Sequence, residues 1–110
     1  MPVLLSRPAF NRAVLDRVEW LATNRPEEQL DHFLGALAIV REQIARAPLH
    51  GTPLQRDDRH VLRMRLFPRP LPYLVYYAHP RSEPIAEIYL VRLYASGQDR
   101  PEADMSTWPW

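Results

Sequence analysis

The chain contains no cysteine and no lysine, and only 3 glycines among its 110 residues. Without cysteine there are no disulfides, thiolate zinc sites or cysteine nucleophiles. Without lysine every cation is an arginine: planar, permanently charged, shaped for phosphate or carboxylate, and unable to act as a base at neutral pH. Long apolar runs are missing as well. Nothing approaches the roughly 18 uncharged apolar residues that span a bilayer, and the start of the chain lacks the basic-then-apolar pattern of a secretory leader. The expected setting is the cytoplasm, away from membranes. His32, His50, His60 and His79 form no pair at metal-ligand spacing, and no phosphate-binding glycine loop, dinucleotide fingerprint or nucleophile elbow occurs. Neither a metal nor a cofactor is expected.

What is present is 12 prolines, 46% hydrophobic residues and a net charge of +1. The length fits one domain. The small net charge hides an uneven distribution: residues 1–45 carry −1, residues 46–72 carry +4 and residues 73–110 carry −2. The middle block holds Arg46, Arg56, Arg59, Arg63, Arg65 and Arg69 against Asp57 and Asp58.

Periodicity divides the chain into two halves. Val3–Leu4–Leu5 reads as a short strand. Ser6 offers an N-cap oxygen and Pro8 suits a first helical turn. Phe10, Val14, Val18 and Leu21 then mark a helix over residues 8–23. The chain breaks at Asn24–Arg25–Pro26 and restarts, with Glu27 and Glu28 where the helix dipole favours negative charge. Leu30, Phe33, Leu37, Val40, Ile44 and Ala47 form an apolar seam that ends at Pro48. So short a break predicts an antiparallel helical hairpin. After it, Val61–Phe67, Leu71–Ala78 and Ile85–Tyr94 read as strands separated by proline- and arginine-rich links. The class is therefore α+β: an N-terminal strand, then a helical hairpin packed on a small antiparallel sheet, in the order β-α-α-β-β-β.

Alternation along the strands points to a binding face. Leu62, Met64 and Leu66 share one side of the first of these strands, and Arg63 and Arg65 project from the other. In the last strand, Ile88, Leu90, Arg92 and Tyr94 fall on one side, with Glu87, Tyr89, Val91 and Leu93 opposite. Arg63 and Arg65 are spaced to grip adjacent phosphates or an acidic segment. Tyr76, Tyr77 and Tyr89 read as half-buried strand residues, whereas Tyr94 beside Arg92 is a candidate functional group. Trp108–Pro109–Trp110 carries large apolar area that docks on its own domain or on a partner.

Several local motifs occur together in a familiar order. Leu21–Ala22–Thr23–Asn24–Arg25–Pro26 forms the helix break and Pro48–Leu49–His50–Gly51 the loop after the hairpin. Arg65–Leu66–Phe67–Pro68 and Tyr73–Leu74–Val75–Tyr76–Tyr77 make the first strand pair. Ile88–Tyr89–Leu90–Val91–Arg92–Leu93 and Gln98–Asp99 form the last strand and its exit. Together these resemble the RelE/ParE superfamily of type II toxins over about residues 3–101, so that residues 1–101 are expected to form the toxin-like domain and 102–110 a C-terminal tail. The resemblance implies a toxin neutralised by a cognate acidic antitoxin. The RelE-like branch cleaves mRNA on the ribosome; the ParE-like branch is associated with inhibition of DNA gyrase. Ala95 stands where the common family ending would place a histidine, and no lysine is available to assist cleavage. The expectation is thus a ParE-like toxin. Arg56, Arg59, Arg63, Arg65, Arg69, Arg92, Trp108 and Trp110 are its candidate target- or antitoxin-binding residues. The alternatives are a RelE-like nuclease using Arg63, Arg65, Arg92 and Tyr94, or an inactive member that keeps only antitoxin binding.

Overall fold

A computed structural model describes residues 1–95 and Gly97. Trp108, Trp110 and the boundary expected at residue 101 lie outside the described residues. The elements run β1 (Val3–Ser6), α1 (Pro8–Asn24), α2 (Glu27–Arg46), a 3-10 turn (Pro48–His50), β2 (Thr52–Arg56), β3 (His60–Leu66), β4 (Tyr73–Pro80) and β5 (Glu87–Ala95). Two helices on a five-stranded mixed sheet make the α+β architecture that the periodicity predicts. Among the described residues, no helix is long and apolar enough to cross a membrane.

The sheet order is β1-β5-β4-β3-β2. Strands β2 to β5 are antiparallel, and β1 adds in parallel to β5, pairing Val3 with Glu87 through to Ser6 with Leu90. A parallel neighbour needs a crossover, which the helical hairpin supplies. Strand β2 carries no alternating pattern and contains Pro53; an edge position tolerates both. It accounts for one strand more than the sequence pattern predicts.

The helix starts follow their prolines. Pro8 occupies the first turn of α1, and Pro26 precedes Glu27 and Glu28 in the first turn of α2. Ser6 is not the cap that its position predicts. It ends β1 opposite Leu90, and its hydroxyl accepts a hydrogen bond from Arg41 at 3.0 Å; Arg7 occupies the N-cap position instead.

Two apolar clusters sandwich the sheet. The helix side gathers Phe10, Leu21, Phe33, Val40, Ile44, Val75, Tyr77, Ile88, Leu90 and Leu93, among others. Phe33 anchors α2 here, stacked on Phe67 at 5.8 Å and edge-on to Tyr73 at 5.1 Å. The opposite side gathers Leu62, Leu74, Tyr76, Ala78, Val91 and Tyr94, with Met64 and Tyr89 against them.

The division between faces reverses part of the alternation reading. Arg63 pairs with Tyr77 and Arg65 with Val75, so both arginines are on the helix side; Leu62 and Met64, paired with Ala78 and Tyr76, are on the far side. In β5 the cause is a bulge. Tyr77 pairs with Leu90 but Tyr76 with Arg92, so Val91 is an extra residue. One inserted residue shifts the side-chain phase. Leu93 therefore joins Ile88 and Leu90 on the helix side, and Tyr94 moves to the far side.

Candidate functional site

The first of the expected binding arginines is an internal anchor. Beyond the end of α2, the chain passes through the 3-10 turn to Gly51, leaving backbone carbonyls facing the sheet. Arg63 donates to the carbonyls of Leu49 and Gly51 at 3.2 and 2.8 Å, and its Nε donates to His79 Nε2 at 2.9 Å. That uses three of its five guanidinium donors. Beside it, the Tyr77 hydroxyl accepts from the Gly51 N–H at 3.1 Å and donates to the Pro48 carbonyl at 2.6 Å. Burial pushes the Tyr77 phenol up, which keeps it protonated and able to donate.

His79 completes this network. The sequence places it in a link between strands, as a surface or loop histidine. It is instead a β4 residue only 2% exposed. Its Nε2 accepts from Arg63 and its Nδ1 lies 2.8 Å from the Pro80 carbonyl, so the tautomer with the proton on Nδ1 satisfies both. Burial, and then the Arg63 charge, hold its pKa below the ordinary value; the Pro80 contact acts in the other direction. A neutral imidazole whose two nitrogens are both occupied is a structural group here.

The four residues of the nuclease alternative are split between faces. Arg63 and Arg65 are on the helix side of β3. Arg92 pairs with Tyr76 on the far side, where its guanidinium donates to the Val91 carbonyl at 2.8 Å. Tyr94 is buried on that far side, edge-on to Tyr76 at 5.1 Å. The sheet itself stands between the two pairs.

The remaining arginines of the basic block separate along β3. Arg56 and Arg59 flank the β2–β3 turn, where Asp57 accepts hydrogen bonds from the N–H groups of Arg59 and His60 at 2.8 and 2.7 Å. Those two bonds hold the Asp57 carboxyl below its ordinary value. Arg81 joins them by donating to the Asp57 carbonyl at 3.0 Å. Arg69 is at the other end, in the proline loop between β3 and β4. Arg46 stays at the end of α2, paired with Glu42 at 2.8 Å.

A groove runs along the Arg69 end. Three adjoining depressions of about 340, 350 and 480 Å³ share Arg17, Trp20 and Tyr73 at one junction and His32 and Leu71 at the next. Trp20 is 42% exposed, with the Arg17 guanidinium 5.3 Å from its ring and that of Arg25 4.8 Å away. Arg17 also lies 5.4 Å from the Tyr73 ring. Further along, exposed Ile39 faces Pro68, Arg69 and Pro70 across the widest depression. Arg17, Trp20, Arg25 and Ile39 are absent from the sequence-based site. Helical spacing offered a signal for one pair, since Arg17 and Trp20 are i, i+3 neighbours on α1. Apolar side chains, Trp20, Leu71 and Ile39 among them, line the groove together with the guanidinium groups of Arg17, Arg25 and Arg69 and the carboxylates of Asp16 and Asp31. This chemistry suits an amphipathic acidic segment.

Among the described residues, no group of three histidine or acidic side chains is placed to hold a metal ion. No family model matches the chain, and no curated protein matches it.

Proposed function

We propose that this chain is the toxin component of a type II toxin–antitoxin pair, of the ParE-like kind. In this reading it acts in the cytoplasm by binding a protein target such as DNA gyrase, and an acidic antitoxin neutralises it. The order β-α-α followed by antiparallel strands, with the motifs that resemble the family, supports membership. The observation that favours protein binding over RNA cleavage is the split of the nuclease quartet. Arg63 and Arg65 lie on one face of the sheet, Arg92 and buried Tyr94 on the other. One phosphodiester cannot meet all four. The antitoxin is assigned to the groove between α2 and the proline loop, where Ile39 supplies apolar contact and Arg69 the charge. Arg56 and Arg59, at the far end of β3, are outside that contact.

The test is a supercoiling assay with purified DNA gyrase and micromolar purified protein. Inhibition relieved by the acidic product of an adjacent reading frame is the expected result. Absence of any effect on gyrase overturns the assignment of target. Ribosome-dependent mRNA cleavage that is lost in Tyr94→Phe, with the fold intact, replaces it with the nuclease reading. Unaffected growth on induced expression leaves only the inactive, antitoxin-binding member.

A further inference from the structure

In the third turn of α2 stands a glycine that the chain's own fold does not require. Gly35 has no positive φ, it is exposed, and a methyl group there would meet nothing within 4 Å. A glycine inside a helix forfeits backbone entropy. Gly35 lines the depression between α2 and the proline loop, beside Ala36 and Ile39. Its missing side chain leaves room there for a second backbone.

The opposite wall limits what that backbone can be. Pro68, Pro70 and Pro72 have no N–H, and Leu71 gives its own to the Pro68 carbonyl at 3.1 Å. The N–H groups inside α2 are used within the helix. An extended segment laid here would find no row of donors for its carbonyls, whereas a helix brings its backbone hydrogen bonds with it.

Towards Trp20 the groove becomes charged. Tyr73, Arg17, Trp20 and Arg25 alternate ring and guanidinium, at 5.4, 5.3 and 4.8 Å. Among the described residues neither arginine forms an ion pair, and Arg25 spends one N–H on the Asn24 carbonyl at 3.1 Å. Stacking holds both guanidinium groups in place and leaves their in-plane donors for a carboxylate. It also occupies the ring faces on which bases would stack. Asp16 and Asp31 repel a backbone that carries a phosphate at every nucleotide, while a protein segment can place its acids only where the arginines stand.

We propose that the partner seated in this groove is one amphipathic helix of an acidic protein, passing closest to α2 at Gly35. Its apolar face rests on Ala36, Ile39 and Leu71, and its carboxylates meet Arg17 and Arg25. The groove follows α2 from Gln29 to Ile39, about 15 Å or close to three helical turns. This inference rests on the reading of the groove as the antitoxin's seat, and not on gyrase as the target.

The experiment titrates the full chain and its variants with the purified acidic product of the adjacent reading frame. Gly35→Ala and Gly35→Leu should melt no lower than the parent and weaken binding stepwise, several-fold and then at least tenfold. Arg17→Gln/Arg25→Gln should weaken it at least tenfold and flatten its salt dependence. No binding by the parent overturns the antitoxin reading, and this inference with it. Binding by the parent that is unchanged in the glycine pair or in the arginine variant overturns this inference alone. An arginine variant that loses affinity only for a short unstructured RNA assigns the two guanidinium groups to phosphate and overturns it as well.

Discussion

At Gly51, a methyl group would meet the Tyr77 phenol oxygen that receives the Gly51 N–H, whereas a methyl at Gly35 meets nothing within 4 Å. Gly51→Ala is therefore expected to cost about 2 kcal/mol or more, through overpacking and a lost buried hydrogen bond. Gly35→Ala, in the interior of α2, should gain about 0.5–1 kcal/mol from backbone entropy. Urea unfolding of the two variants measures both, and equal shifts would show that the Tyr77 contact does not constrain position 51. His79 makes this same network sensitive to pH. Its folded pKa lies below the unfolded value of about 6.5, because the buried ring is needed neutral. The unfolded chain therefore binds the proton first. The contribution is complete above about pH 6.5 and is lost as pH falls towards the folded pKa, as Nε2 gains a proton facing Arg63. The urea midpoint should drop between about pH 7.5 and 5.5 by more in the parent than in His79→Gln. Asp57, with its pKa lowered by two backbone N–H groups, adds a separate acid-side loss that begins only below about pH 4. None of this was legible in the sequence. A histidine followed by proline reads as a loop, and only the register of β4 against β3 brings Arg63 beside it.

The elements themselves were largely legible, because each carries its own period. The α2 seam predicted Phe33, Leu37, Val40 and Ile44 as buried, and they are. Two things escaped. Strand β2 is five residues of edge with a proline inside and Leu54 as its one large apolar side chain, so it shows no alternation. The β5 bulge is invisible because inserting one residue leaves composition and local pattern unchanged while exchanging the faces of everything beyond it. For that reason Arg92 and Tyr94 lie opposite Ile88 and Leu90, where simple alternation places all four on one side. Burial on α2 also separates folding from binding. Phe33, fully buried against Phe67 and Tyr73, should cost about 3–5 kcal/mol on truncation to alanine. Ile39, 47% exposed on the same helix, should cost under about 1 kcal/mol. Calorimetric melting distinguishes them. If Ile39→Ala melts as low as Phe33→Ala, the groove wall is part of the core, and Ile39 cannot be used as a pure binding probe.

At the scale of the molecule, the +4 charge of residues 46–72 is not a single surface. Strand β3 is seven residues, about 20 Å at the usual rise, and it holds Arg56 and Arg59 at one end and Arg69 at the other. That separation is about twice the Debye length at physiological salt, so the two ends act independently. Their compositions are alike. Arg56, Arg59 and Arg81 gather with Asp57 and Asp58 at the hairpin end, and Arg17, Arg25 and Arg69 with Asp16 and Asp31 along the groove. Arg63 is committed to carbonyls between them. A polyanion can therefore engage about three arginines at once, not the six of the block. For single-stranded RNA, the slope of log affinity against log salt should be no steeper than about −2, whereas six joint contacts would give about −4. A salt titration of binding to a short unstructured RNA measures this slope. A slope near −4 would mean that the strand wraps from one end of β3 to the other and would revive the nuclease reading. A shallow slope, flattened further by Arg69→Ala or by Arg59→Ala independently, fits a molecule whose charge is arranged to orient an acidic protein segment.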